Sequence, residues 1–159
     1  MLTAVVRAIK PRICLETGTH RGRSTRAIVD GLCHNGDGHL WTLDRSDHKI
    51  FESGAIPPHA QSRITRVFGS SPEALDGPSL SVVKGVDFAF LDSVHSAEGV
   101  LAEIEWLKVH MADTCTVLVD NAYDDGWPGL KALFADYEDY NHALLPTLNG
   151  MELIQMVRR

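Results

Sequence analysis

The sequence predicts an α/β fold, a doubly wound and mostly parallel seven-stranded sheet in one domain, closed by a C-terminal antiparallel hairpin strand. Three observations predict it. Short apolar runs alternate five times with segments whose apolar residues recur at helical spacing. Four of those runs end in an acid: Glu16, Asp44, Asp92 and Asp120. The last two runs flank Asn149-Gly150, a dipeptide that supplies the positive φ values of a tight hairpin turn.

Taken in order, Met1 to Lys10 places Leu2, Val5, Val6 and Ile9 at helical spacing, an amphipathic helix rather than a signal peptide, and Pro11 breaks it. Ile13 to Glu16 is the first strand, and a helix over about 23–33 follows, with Ala27, Ile28 and Leu32 on one face. His39 to Asp44 is the second strand. The stretch 45–61 is polar and holds Pro57 and Pro58, so it reads as a loop or short irregular helix at the mouth of a pocket. Arg63 to Phe68 is the third strand, ending in Gly69-Ser70-Ser71-Pro72 ahead of a short helix. Val86 to Asp92 is the fourth, and Ala97 to Met111 is a helix with Val100, Leu101, Ile104 and Leu107 in step. Thr116 to Asp120 is the fifth strand. Pro128 opens a helix in which Leu130, Leu133, Phe134 and Tyr137 share a face, and 142–148 and 151–158 form the hairpin.

Composition bounds the function. The 159 residues suit one domain with a full core, and 44% hydrophobic with 23% charged residues is the make-up of a soluble globular protein. No apolar run approaches the roughly 18 residues of a membrane span. A formal charge of −6 speaks against nonspecific nucleic-acid binding. Cys14, Cys33 and Cys115 are odd in number and lack metal-type spacing, so free thiols and a cytoplasmic location are expected.

The chemistry concentrates at 13–25, Ile-Cys-Leu-Glu-Thr-Gly-Thr-His-Arg-Gly-Arg-Ser-Thr, which reads as strand, glycine loop and helix start. Gly18 and Gly22 let backbone approach a ligand, and the helix start at Ser24 offers free N–H groups and a positive dipole end. His20 stands where a dinucleotide fingerprint needs glycine. A P-loop would need one more residue and a lysine in place of Arg23. The basic group Arg21, Arg23 and Arg26 is either a solvated helix start or a contact for an anionic substrate. In a doubly wound sheet an acid ending the second strand can bond the hydroxyls of a ribose, which makes Asp44 the ribose candidate, with helix capping as its plainer use.

With its Glu16, Gly18, Gly22 and Ser24, the stretch resembles motif I of class I S-adenosylmethionine (SAM)-dependent methyltransferases, in the form E-x-G-x-x-x-G-x-S of the catechol O-methyltransferase-like group. The resemblance implies a Rossmann-like fold and a SAM site. Glu16, Gly18, Thr19, His20, Gly22, Ser24, Asp44 and Asp92 would lie around the donor, and Ser70 and Ser71 by the adenine. It further implies a divalent cation held by an Asp ending strand four and an Asp-Asn pair ending strand five, here Asp92, Asp120 and Asn121. Such an all-oxygen shell suits Mg²⁺, or Ca²⁺. The group carries a lysine base three residues after the strand-four Asp, whereas this chain has His95, which fits a base, a metal ligand or a structural neighbour of the next helix. Neutral imidazole, with an unperturbed pKa near ~6.5, suits proton removal at neutral pH better than lysine near ~10.4.

These residues point to an O-methyltransferase of a small hydroxylated molecule. The helices that precede strand one in the group are short here, which leaves the acceptor pocket open, built by 45–61, or completed by a second subunit in a homo-oligomer. Trp127 is the tryptophan placed to meet an acceptor ring. The rival readings are a metal-independent methyltransferase, a non-catalytic cofactor-binding module, and a P-loop nucleotide hydrolase.

Overall fold

The computed structural model describes residues 1–135 and 137–158. Helices α1 (Leu2–Ile9), α2 (Arg23–Asn35), α3 (Pro58–Gln61), α4 (Ala97–His110) and α5 (Pro128–Ala135), with a 3-10 turn at Glu73–Asp76, alternate with seven strands. These are β1 (Ile13–Thr17), β2 (His39–Asp44), β3 (Ile64–Phe68), β4 (Val86–Leu91), β5 (Met111–Asp120), β6 (Asn141–Leu145) and β7 (Met151–Val157). They form one sheet in the order β3-β2-β1-β4-β5-β7-β6, in which β7 runs antiparallel to β5 and β6 and the pairs among β1 to β5 are parallel. The strand order reverses between β1 and β4, which is where a doubly wound sheet opens a crevice at the carboxyl ends of its strands.

The period of two along each strand sorts side chains into two cores. Ala89 and Leu91 of β4 join Leu43, Val100, Ile104, Val117 and Phe134 on one face, while Phe88 and Phe90 join Cys14, Ile28, Leu32, Leu40 and Leu118 on the other. Strand-to-loop connections near the crevice continue the ladder: Gly18 N–H donates to Leu43 O at 2.8 Å, Asp92 N–H to Thr17 O at 2.9 Å, and Gly69 N–H to Asp44 O at 3.0 Å. The loop after β2 is fastened to β3 by Arg66, whose guanidinium lies 4.6 Å from the Phe51 ring centre and pairs with Asp47 at 3.2 Å. It therefore has a defined place beside the crevice.

Three expectations are corrected. The segment 111–115 is strand, not the end of a helix and a loop, because Met111 pairs with Val86 and Thr114 with Val157. The hairpin turn is five residues long, since Leu145 pairs with Met151; only Gly150 takes positive φ, and Asn149 turns its amide to Asn121. Tyr137 lies beyond the end of α5, although it is buried against Phe134. Cys14 and Cys115 are buried free thiols pushed up chiefly by burial, and Cys33 is a partly buried one. Among the described residues no helix is long and apolar enough to cross a membrane.

Candidate active site

The crevice holds two adjoining lobes that share Gly18, His20 and Asp92. The first, about 600 Å³, is walled by Gly18, His20, Asp44, Ser70, Ser71, Asp92 and Ser93, with Arg45, Ser46 and His48 from the loop after β2. The second, about 430 Å³, is walled by Gly18, Thr19, His20, Ser24, Asp92 and Asp120, together with Arg21, Arg23, Phe90 and Met151. Both volumes are in the range of small-molecule sites.

Gly18 is where β1 meets the crevice. Its φ is +92°, and a Cβ there would sit 2.2 Å from the Asp92 carbonyl oxygen, so only glycine allows the β1 and β4 loops to approach so closely. Gly22, at φ 75°, is the N-cap of α2. Between them His20 takes φ 41°, and its N–H donates to Asp44 Oδ2 at 2.8 Å. Asp44 also accepts from Ser46 N–H at 2.9 Å and lies 3.5 Å from His48 Nε2. The carboxylate thus pins the glycine loop to the end of β2 while remaining on the cavity wall.

Two predicted contacts are revised. Glu16 does not reach either lobe. It is fully buried beneath the loop, and its Oε2 accepts from Thr25 and Thr42 hydroxyls, each at 2.6 Å. Burial pushes it up to about 7, against the pull of the nearby hydroxyls of Ser24, Thr25 and Thr42 and with a further push from Asp44. Glu16 holds the loop, and Thr19, bonded to Thr42 at 2.5 Å, does the same from above. Ser71 does line the first lobe, but its hydroxyl donates to Glu103. Ser70 lines that lobe beside it.

A methyltransferase-domain sequence profile matches residues 15–122, the stretch that builds both lobes. The chain belongs to the methyltransferase-domain family. No curated protein matches it. Among solved structures it is similar to an O-methyltransferase from Bacillus cereus in complex with S-adenosylhomocysteine (SAH), at 21% identity and a TM-score of 0.82 over 99% of this chain and 79% of that one. It is also similar to an O-methyltransferase of tomaymycin synthesis from Streptomyces achromogenes in complex with SAM, at 19% identity and 0.77 over 99% and 78%. A third is an SAH-bound methyltransferase from Podospora anserina, at 18% identity and 0.71 over 96% and 75%. The protein accordingly carries a methyltransferase domain, on the Rossmann-like fold that these structures share.

In the methyltransferase's second lobe, the acids that follow β4 and end β5 both line the wall. Asp92 is pushed up to about 7, first by burial, then by the charges of Asp120, Glu16 and Glu103. Asp120 is also raised by burial, against the Asn121 backbone hydrogen bond and the His95 charge. Two carboxylates on one cavity wall are chemically suited to a hard cation. Asn121 lies off both cavity walls, at φ 56°, and its Oδ1 accepts from Asn149 Nδ2 at 2.9 Å. Among the described residues no group of three or more His, Cys, Asp or Glu forms a cage for a metal ion.

His95 stands just before Ser96, the N-cap of α4, whose hydroxyl accepts from Gly99 N–H at 3.1 Å. Burial lowers its pKa, while Asp120 and Asp124 hold it up. Its ring centre lies 4.8 Å from that of Trp127, which is 42% exposed. Neither residue lines the two lobes, but His95 is within electrostatic reach of Asp120.

Several wall and support residues escape sequence reasoning. Thr25, Thr42 and Glu103 sit inside a helix, a strand and a helix, where periodicity assigns them only a buried or exposed face. Nothing local marks a buried threonine as the partner of a carboxylate nine or 26 positions away. Ser46 and His48 were legible only as part of a polar loop.

Proposed function

We propose that this methyltransferase transfers the SAM methyl group to a hydroxyl oxygen of a small molecule, with a divalent cation between Asp92 and Asp120. The observation supporting the reading is that Gly18, His20 and Asp92 wall both lobes, so one continuous crevice runs from Asp44 to Asp120. In this reading Asp44 accepts from the ribose hydroxyls in the first lobe, where Ser70 borders the adenine. The start of α2, with Thr19 and Ser24, receives the amino-acid end of the donor.

Asp92 and Asp120 would hold the cation, with acceptor and water oxygens completing its shell. Bound there, it would draw charge from a vicinal hydroxyl and lower that hydroxyl's pKa. His95, neutral at physiological pH because burial lowers its pKa, takes the hydroxyl proton. As it does so the acceptor oxygen forms its bond to the methyl carbon, and the carbon–sulfur pair returns to sulfur, leaving SAH. Trp127 offers its exposed face to the acceptor beside His95. The remaining labour of the chain is alignment, because an in-line displacement is fast only when donor and acceptor are already collinear.

A metal-independent course is the second reading, favoured by the engagement of the Asn121 oxygen with Asn149. The test is transfer of a labelled methyl group from SAM to a panel of catechols and sugar hydroxyls, with Mg²⁺ and with chelator. Products methylated on oxygen and lost on chelation are expected. Methylation on ring carbon, or no O-methylated product from any acceptor of the panel, would end the leading reading, and chelator-resistant O-methylation would select the second.

A further inference from the structure

The loops carrying Ser71 and Ser93 leave strands that are not neighbours. Ser71 follows β3 and Ser93 follows β4, and β2 and β1 lie between them in the sheet. At about 4.8 Å per strand step, the ladder alone would hold those loops some ~14 Å apart, and no backbone hydrogen bond of the sheet couples them. Yet both hydroxyls reach one atom. Ser71 Oγ donates to Glu103 Oε1, and Ser93 Oγ donates to the same oxygen at 2.7 Å. Glu103 comes from the middle of α4 and is 1% exposed, packed on the face where Val100, Ile104 and Leu107 meet the sheet. Its second oxygen, Oε2, is buried without a hydrogen-bond partner.

A buried carboxylate at such a place is disfavoured unless it does something a leucine could not. Here it joins the loops that follow β3 and β4, both of which line the first lobe. We propose that Glu103 is a positioning residue for the cofactor, clamping the β3 and β4 loops so that the first lobe keeps the width of the adenosyl group. It touches neither the donor nor the acceptor and acts through Ser71 and Ser93. Because both hydroxyl protons are spent inward, these two hydroxyls offer a bound adenosine only acceptor lone pairs.

The full-length chain tests this by calorimetry with SAH, wild type first. Heat with the wild type establishes the cofactor site independently of the clamp. Glu103→Ala should then weaken SAH binding by about 10-fold or more, the scale of losing hydrogen bonds to a carboxylate. Glu103→Gln, which keeps an oxygen for both serines, should restore affinity to within a few-fold. At saturating SAM the acceptor KM and kcat should change less than about twofold, so that the defect falls on KM for SAM alone. Should Glu103→Ala fail to fold, Ser71→Ala and Ser93→Ala each remove one hydroxyl, and the double variant should be less damaging than the sum of the singles. An SAH affinity within twofold of wild type in Glu103→Ala, or strictly additive serine effects, would overturn the clamp. A loss in kcat with KM for SAM unchanged would also overturn it.

Discussion

Replacing Glu16 by glutamine should change how the stability of the protein depends on pH, and by an amount the structure sets. Glu16 is fully buried, with two threonine hydroxyls on Oε2 and no partner on Oε1. Its pKa rises from an ordinary 4.5 to about 7, mainly through burial. The folded chain therefore binds more protons than the unfolded chain between those two values, and stability falls as pH rises through that window. Once ionised, the buried carboxylate costs the folded state about 3 kcal/mol, from 1.36 kcal/mol for each pH unit between the two values. Glutamine keeps an oxygen for Thr25 and Thr42 but cannot ionise. Whatever fixed penalty its buried amide brings is the same at every pH, and Asp92, which loses the push of the Glu16 charge in the variant, moves the difference in the same direction. Urea unfolding of wild type and Glu16→Gln from pH 4 to pH 9 should show the difference in unfolding free energy moving by about 3 kcal/mol in favour of the variant, with most of the change between pH 5 and 8. A difference that stays flat, or that moves in favour of wild type at high pH, would refute the account of Glu16 as a buried carboxylate under the loop.

Other outcomes follow from the same geometry. Gly18→Ala forces a Cβ to 2.2 Å from the Asp92 carbonyl at a φ of +92°, so it should abolish SAH binding in calorimetry and lower the melting temperature. Asp44→Ala removes both the proposed ribose acceptor and the partner of His20 and Ser46 N–H, and should raise the SAH dissociation constant by about 10-fold or more. Asp120→Asn should remove the dependence of turnover on divalent cation while leaving SAH affinity within about twofold, read by calorimetry with and without Mg²⁺. His95→Gln should lower kcat by about 100-fold and erase the acidic limb of the pH–rate profile. In wild type that limb rises with pH through a value below 6.5, since burial disfavours the imidazolium.

Most of the architecture was legible along the chain, because strands and helices announce themselves by period. His39–Asp44 and the start of α2 at Arg23 appear at the expected boundaries. The acids that end β1, β2, β4 and β5 were visible as sequence features, and the parallel sheet carries them to one end of the molecule. The hairpin was less legible: Asn149-Gly150 signals a two-residue turn, but pairing of Leu145 with Met151 and the contact of Asn149 with Asn121 lengthen it to five. Tertiary pairing outweighs a local turn preference when the partner strands fix the register.

What the sequence by itself determined was the order of elements, the glycine loop and the set of acids at strand ends, all of which follow from spacing within a few residues. Only the tertiary structure decided what each acid does. Glu16 lies buried under Thr25 and Thr42, Asp44 and Asp92 stand on the cavity wall, and Asn121 turns to Asn149. It also joined Ser71 and Ser93 on Glu103 across two intervening strands. The physical reason is that burial and hydrogen-bond partnership are set by neighbours in space. A carboxylate's role depends on the water it loses and the donors it gains, and both arrive from distant parts of the chain.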